Sequence, residues 1–306
     1  MKIGIPKAFF YFRYGVFWES FFDALDIKCI VSPDTNKEIL TKGYSYAVDE
    51  SCLSSKIYLG HVAWLIGKCD CILVPRISGY GKAGIVCTKY QAIYDLVKNT
   101  FRSQQIKLLH YNIDIMNTAN ELKAFYKLGR SLGKKRQQVL LAYLSGKQAE
   151  RNTQQEAEQT QQLLLNEKKI KILLVAHGYN IYDKYVGEPI ISALKSMDVV
   201  PVIADIASKK EALACSYQIS DTLPWVFNKE LLGAIVMFRG KIDGIILMST
   251  FPCGPDSLVN EVVIRRVSDK PILNLILDGQ EGTAGLETRL ESFVDIIKFK
   301  REEAIG

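Results

Sequence analysis

The sequence predicts an α/β protein of two lobes, each built on a parallel sheet, with a helical segment between them. Short apolar runs alternate with amphipathic stretches through the first third of the chain, the rhythm of βαβ units. From Asn117 to Lys169 strand-like runs vanish, and Gln, Lys, Glu, Ala and Leu dominate. The alternation then restarts at "KIKILLVAHG", the most strand-like segment present. The expected division is a first α/β lobe over residues 1–112, a helical connector over 113–168 and a second α/β lobe over 169–306.

In the first lobe "KIGIP" reads as a strand, "GVFWESFFDALD" as a helix, "KCIVS" as a strand and "TNKEILTKG" as a helix. "SYAVD" follows as a short strand, "SSKIYLGHVAWLIG" as a helix, "CILVPR" as a strand, "TKYQAIYDLVKN" as a helix and "QIKLLHY" as the closing strand. The connector, rich in good helix formers, reads as two helices broken near Gly129 to Gly133 or at Ser145-Gly146. In the second lobe "GEPIISALKSM" is a helix, "VVPVIADI" a strand, "KELLGAIVMFR" a helix and "GIILMST" a strand. The helix "DSLVNEVVIRRV", the strand "KPILNLILD" and a last helix from about Ala284 to Arg301 complete it.

Composition narrows the function classes. A chain of 306 residues, 48% hydrophobic and 24% charged, has the profile of a globular protein of about two domains. The net charge of +6 is spread along the chain, which argues against nucleic acid as a partner. Lys7 and Arg13 interrupt the apolar N-terminus, so it reads as mature protein and not as a signal peptide. No run approaches the roughly 18 apolar residues of a membrane span, and the expected location is cytoplasmic. Seven cysteines are an odd number, which favours free thiols or metal ligands over disulfides.

In open parallel sheets of the flavodoxin or Rossmann type, ligands bind beyond the carboxyl ends of the strands, in a cleft. Residues placed just after predicted strands are therefore the site candidates. They are Glu50 and Cys52; Arg76 and Ser78, with Cys87 beyond; His177, Asn180 and Asp183; Cys253; and Glu281, Thr283 and Arg289. The other four fall elsewhere: Cys29 opens a strand, Cys215 lies in a helix or loop, and Cys69 and Cys71 flank a strand start and read as core. Cys52, Cys87 and Cys253 are 35 and 166 residues apart, so no compact zinc knuckle accommodates them. From the residues alone they are core thiols or ligands of one site between the lobes, and Cys253 is also a candidate nucleophile. Two other motifs mislead. "GYGKAG" follows the fourth strand instead of the first, and "GRSLGKK" has Lys135 where a P-loop needs Ser or Thr.

The motifs "IGIPKAFFYF", "VSPDTNKEIL", "AVDESCLSSKIYLGHV", "ILVPRI", "GIVCTKYQ", "VAHGYNIYD", "FPCGPDSLVNE" and "EGTAGLETRLESF" occur in order along nearly the whole chain. Together they resemble the family of 2-hydroxyacyl-CoA dehydratase and benzoyl-CoA reductase iron–sulfur subunits, and more narrowly its stand-alone activase-related proteins. The resemblance implies one [4Fe–4S] cluster held by Cys52, Cys87 and Cys253 in the cleft between lobes, with one iron lacking a protein thiolate. It implies an ATP-activator-dependent iron–sulfur reductase or dehydratase-like enzyme, fed low-potential electrons by an ATPase activator that carries its own iron–sulfur cluster. The substrate would be a small molecule, an acyl-CoA being the family's best-known one. A homodimer or a heterodimer with a paralogue is the expected assembly. The alternative is a non-catalytic electron-transfer or partner subunit of such a system. Around the cluster His177, Glu50 and Arg76 are the expected catalytic residues, His177 as proton donor and Arg76 as anion holder. Ser78, Asn180 and Glu281 are the expected cofactor-binding residues. Leu53 and Thr88 depart from the proline that family members often carry after the first two cysteines.

Overall fold

The computed structural model describes residues 1–80, 84–114, 120–279 and 284–303. The chain forms two compact units, Met1–Gln155 with Pro224–Val226, and Glu156–Leu223 with Phe227–Gly306.

The first unit opens with β1 (Lys2–Ile5), α1 (Tyr11–Asp23), β2 (Lys28–Val31), α2 (Lys37–Tyr46) and α3 (Leu53–Leu65). It continues with β3 (Cys71–Leu73), β4 (Arg76–Gly79), α4 (Thr88–Gln91), α5 (Ile93–Thr100), β5 (Leu108–Leu109), β6 (Asn112–Asp114) and α6 (Glu121–Ser131). Helix α7 (Arg136–Leu165) leads into the second unit. The main sheet has the order β2-β1-β3-β5 with every pair parallel, Ile3 facing both Cys29 and Cys71, and Ile72 facing Leu108. Strands β4 and β6 form a separate parallel pair.

Several expectations are corrected here. "SYAVD" makes no strand, because α2 runs on to Tyr46 and a turn joins it to α3. "CILVPR" is two strands in two sheets, parted after Leu73. "TKYQAIYDLVKN" is two helices, α4 and α5, meeting at Ala92. The connector breaks at the first of its two candidate points. Gly133 takes φ +79, a left-handed conformation that glycine adopts without strain, and its amide closes on the Arg130 carbonyl (3.0 Å). Ser145 and Gly146 lie inside α7.

Aromatic packing holds α1 to this unit. Tyr14, Phe17, Trp18, Phe21 and Phe22 fall on one helical stripe and are all buried. Phe125 of α6 sits 4.5 Å from the Phe17 ring and 4.5 Å from Tyr111, whose hydroxyl accepts the indole N–H of Trp18 (3.0 Å). A second tie is polar. His61 of α3 has no exposed surface, and its Nδ1 and Nε2 pair with Ser32 Oγ (2.8 Å) and Thr35 Oγ1 (3.0 Å). Ser32 Oγ also takes the amide of Lys7 (2.8 Å). This chain of bonds locks α3 to the carboxyl ends of β1 and β2.

The second unit contains β7 (Lys171–Val175), α8 (Gly178–Ile181), α9 (Glu188–Ser196), β8 (Val200–Ile203), α10 (Lys209–Cys215) and α11 (Val226–Phe238). It ends with β9 (Gly244–Thr250), α12 (Gly254–Arg266), β10 (Ile272–Leu277) and α13 (Ala284–Glu303). Its sheet has the order β10-β9-β7-β8, again all parallel, with Leu173 opposite Val202 and Ile245. Taken in chain order, each main sheet reads second, first, third, fourth, the flavodoxin-like order. Ile172, Leu174, Ile246 and Met248 present one face to Ile190 and Leu194 of α9 and to Leu290, Val294 and Ile297 of α13. Each such fully buried side chain contributes about 1.5–3 kcal/mol. Helices α8 and α10 have no counterpart in the sequence expectation.

Two outcomes follow for the first unit. Phe125→Ala is expected to lose about 3–5 kcal/mol in denaturant unfolding, because it removes the ring on which α1 and Tyr111 rest. Burial pushes the His61 imidazole down to about 3, so the folded state keeps it neutral while the unfolded chain protonates it. Stability should therefore fall as pH drops from about 6.5 toward 3, by up to about 1.4 kcal/mol per pH unit. A His61→Gln variant should lose this part of the pH dependence in urea melts, and an unchanged slope would refute the assignment.

Candidate functional site

In both units the switch point of the sheet lies at its first strand, flanked by the second and third. In the first unit, the loop leaving β1 there carries Phe9, a non-glycine residue at φ +46. Its ring stacks on Tyr58 of α3 (centroids 5.3 Å) and meets Tyr90 of α4 edge-on (5.1 Å). Phe9 thereby joins the two helices that begin at Cys52 and Cys87. Each cysteine is the N-cap of its helix, in extended or near-extended backbone, and neither side chain performs the cap. Their carbonyls take the first helical amides instead, from Ser55 to Cys52 (2.9 Å) and from Tyr90 to Cys87 (3.0 Å).

Glu50 is exposed in the turn between α2 and α3 rather than after a strand. Arg76 opens β4, is exposed, and stands 3.9 Å from Asp95. Ser78 falls at the register shift of the β4–β6 pair, between Ile77 and Gly79. Its carbonyl accepts the Val86 amide (3.3 Å) and the Gln91 side chain (3.5 Å), which fixes the turn before Cys87. Pro224–Val226 pair with Ile85 in the same turn, Val226 donating to the Ile85 carbonyl (2.9 Å).

In the second unit Cys253 is the N-cap of α12, again without a side-chain cap. Its carbonyl accepts both the amide (3.1 Å) and the hydroxyl (2.7 Å) of Ser257. His177 caps the short α8 directly after β7 and is 8% exposed. Its Nε2 meets Asp256 Oδ1 at 2.9 Å, and Asn228 Nδ2 donates to the same oxygen (2.9 Å). The Cys253 thiol is a further donor to the Asp256 carboxyl group. Asn180, 1% exposed, closes the α8 turn onto the His177 carbonyl (2.8 Å). Gly178 admits the close approach of Asp205, since a Cβ there would stand 2.8 Å from Asp205 Oδ2. The Ser249 hydroxyl at the end of β9 is buried with no partner among the described residues.

The charges explain one another. Burial opposes the charged imidazole of His177, yet the adjoining Asp256 carboxylate outweighs it, with Asp205 and Glu230 adding to the same effect, and the pKa is raised. Burial likewise opposes the Asp256 carboxylate. The His177 charge and the donors His177, Asn228 and Cys253 outweigh it, and the pKa falls below the usual carboxylate range. Each group thus favours the charged form of the other.

The other cysteines behave differently. Burial pushes the Cys29 thiol up to about 12, and raises Cys69, Cys71 and Cys215 as well. Cys69 donates to Leu65 O (3.4 Å), and Cys215 to Ala212 O and Gly233 O (3.5 Å each). These four are protonated packing residues. Cys52 and Cys87 belong to the first unit and Cys253 to the second. Among the described residues no group of three or more His, Cys, Asp or Glu side chains is placed to hold a metal ion. Glu281 and Thr283 lie outside the described residues.

Residues 2–206 match the family model of the CoA enzyme activase uncharacterised domain, DUF2229. The chain belongs to this family. The matched stretch of this DUF2229 protein contains Cys52, Cys87 and His177 and ends before Asn228, Cys253 and Asp256. No curated protein matches the chain. Two solved structures align along its length. One is the crystal structure of ZnuA, at 10% identity over 97% of this chain and 98% of that one, with a TM-score of 0.31. The other is a zinc-bound mutant form of AdcAII from Streptococcus pneumoniae, at 11% identity over 97% and 98%, with a TM-score of 0.27. Scores this low carry no inference about the site.

Sequence reasoning found His177, Asn180 and Cys253 but missed Asp256, Asn228 and Glu230. A signal was present: Asp256 shares a helical stripe with Val259, Asn260 and Val263, and Asn228 one with Leu231, Leu232 and Ile235. Polar residues on a core-facing stripe mark a buried polar site. The pair makes a direct prediction. The raised His177 pKa contributes stability that is present below about pH 6.5 and fades as pH rises through the folded value. With Asp256→Asn, burial acts unopposed by that carboxylate, and the His177 pKa should fall below its usual value. The chain has only three histidines, so imidazole NMR titration resolves it; an unmoved His177 titration would contradict the pairing.

Proposed function

We propose that this DUF2229 protein is an iron–sulfur component of an acyl-CoA dehydratase-related system, with Cys52, Cys87 and Cys253 as ligands of one [4Fe–4S] cluster. The supporting observation is the shared local placement of these three cysteines. Each is a helix N-cap of intermediate exposure whose side chain is not spent on capping, whereas burial raises the thiol pKa of each of the other four. Helix N-termini favour negative charge, and thiolates are the ligands that such clusters require. The chemistry that the bound group supplies is one-electron transfer at low potential. The electron source in this reading is a separate ATPase activator with its own iron–sulfur cluster, and the substrate is a small molecule of the acyl-CoA class.

This chain's own residues have defined parts in the proposal. Asp256 orients the Cys253 side chain and fixes His177 in its charged form. His177, an imidazolium at a strand end, is the proton donor, and Asn228 keeps the carboxylate turned toward it. Phe9 sets α3 and α4, and so Cys52 and Cys87, against the end of β1. Arg76, exposed and only distantly paired with Asp95, is the holder of an anionic substrate group.

Anaerobic reconstitution with iron and sulfide tests this. About four irons per chain are expected, with loss of iron and visible colour in Cys52→Ser, Cys87→Ser and Cys253→Ser but not in Cys215→Ser. Iron content that ignores the first three substitutions would rule out the ligand set.

A further inference from the structure

A cavity of about 710 Å³ opens on the first unit, and neither Cys52 nor Cys87 lines it. Its floor is the edge strand β5, with Leu108 and Leu109, and one wall is α6, with Ala124, Leu128 and Leu132. Three lysines stand on its rim. Lys107 precedes β5, while Lys123 and Lys127 lie one turn apart on the same face of α6. His110 lines it too, its ring 4.6 Å from that of Tyr94.

The charge is one-sided. No carboxylate lines the cavity, and no ion pair engages Lys107, Lys123 or Lys127 among the described residues. Glu121, the acid in the first turn of α6, is held elsewhere by Lys147 (3.2 Å) and by the Tyr143 hydroxyl (3.0 Å). Three unpaired ammonium groups around one concavity repel each other and attract an anion.

The edge strand adds directional groups. The carbonyls of Lys107 and Leu109 accept the amides of Ile72 and Val74 (3.0 and 2.8 Å). Strand alternation therefore turns the amide and carbonyl of Leu108 to the open edge, toward the cavity. With only two residues in β5, the edge is too short to pair with an added peptide strand. The volume falls in the range of small-molecule sites, which are apolar with a few fixed polar groups.

We propose that this cavity binds a small molecule carrying two or more phosphate groups on an apolar or aromatic body, a nucleoside diphosphate being the simplest form. The lysines meet the phosphates, and the ring lies on the leucine floor beside His110. The site is independent of Cys52, Cys87 and Cys253 and of any cluster.

Calorimetry on the full chain with ADP, pyrophosphate and adenosine as separate probes tests it. ADP should bind in the millimolar range or tighter and more strongly than either of the others. Lys107→Gln should weaken ADP by about tenfold, and Lys123→Gln with Lys127→Gln by more, each loss shrinking at high salt. Lys298→Gln, at an exposed position of α13 in the second unit, should change nothing. Failure of ADP to bind, equal binding of adenosine or of pyrophosphate, or indifference to the lysine substitutions would each overturn the proposal.

Discussion

In a parallel sheet every strand leaves by the same edge, and each crossover helix then starts there with its free amides pointing back at the strand ends. Both main sheets of this DUF2229 protein are wholly parallel with the same strand order, so both concentrate helix N-termini on one edge. Cys52, Cys87, Cys253 and His177 all occupy such starts. The three cysteines there are close to partial positive charge while partly exposed, whereas His177 is buried. The same constraint explains why the remaining cysteines are inert. They sit within strands, before a strand or at a helix end, where burial favours the thiol.

Two solutions hold these edges in place. In the first unit the tie is mostly aromatic: Phe9 between Tyr58 and Tyr90, with the buried His61 bracing α3 from below through two hydroxyls. A neutral histidine suits this task, because both ring nitrogens find a partner and no charge has to be buried. In the second unit the tie is ionic. Asp256 collects donors from His177, Asn228 and Cys253, which offsets the cost of a carboxylate with almost no exposed surface. Such a pair contributes little net stability, so its value lies in fixing the orientation of the groups around it.

Much of the architecture was legible in the residues. Alternating apolar and amphipathic runs located or overlapped all eight strands in the two main sheets, and the glycines near 129–133 marked the helical break. Failures cluster where local pattern is ambiguous. "SYAVD" alternates like a strand, yet its first two residues extend α2, which packs on α3. "CILVPR" hides a sheet boundary, because two strands separated by Val74 and Pro75 look like one apolar run. Asp256 and Asn228 went unread because a carboxylate or amide at a helix start resembles an ordinary surface residue.

By itself the sequence determined the α/β class and most of the alternation of elements, since these depend on periodicity and on neighbours a few residues away, but it placed Cys52 after a strand that does not form. It also carried the ordered motifs that agree with family membership. The tertiary structure alone decided that the sheets share one strand order, that His177 meets Asp256 across 79 positions of chain and has its pKa raised there, and that Lys107 meets Lys123 and Lys127 around one cavity. Those facts depend on which distant segments become neighbours, and on how burial and a facing charge compete at a single group, and neither is written in local pattern.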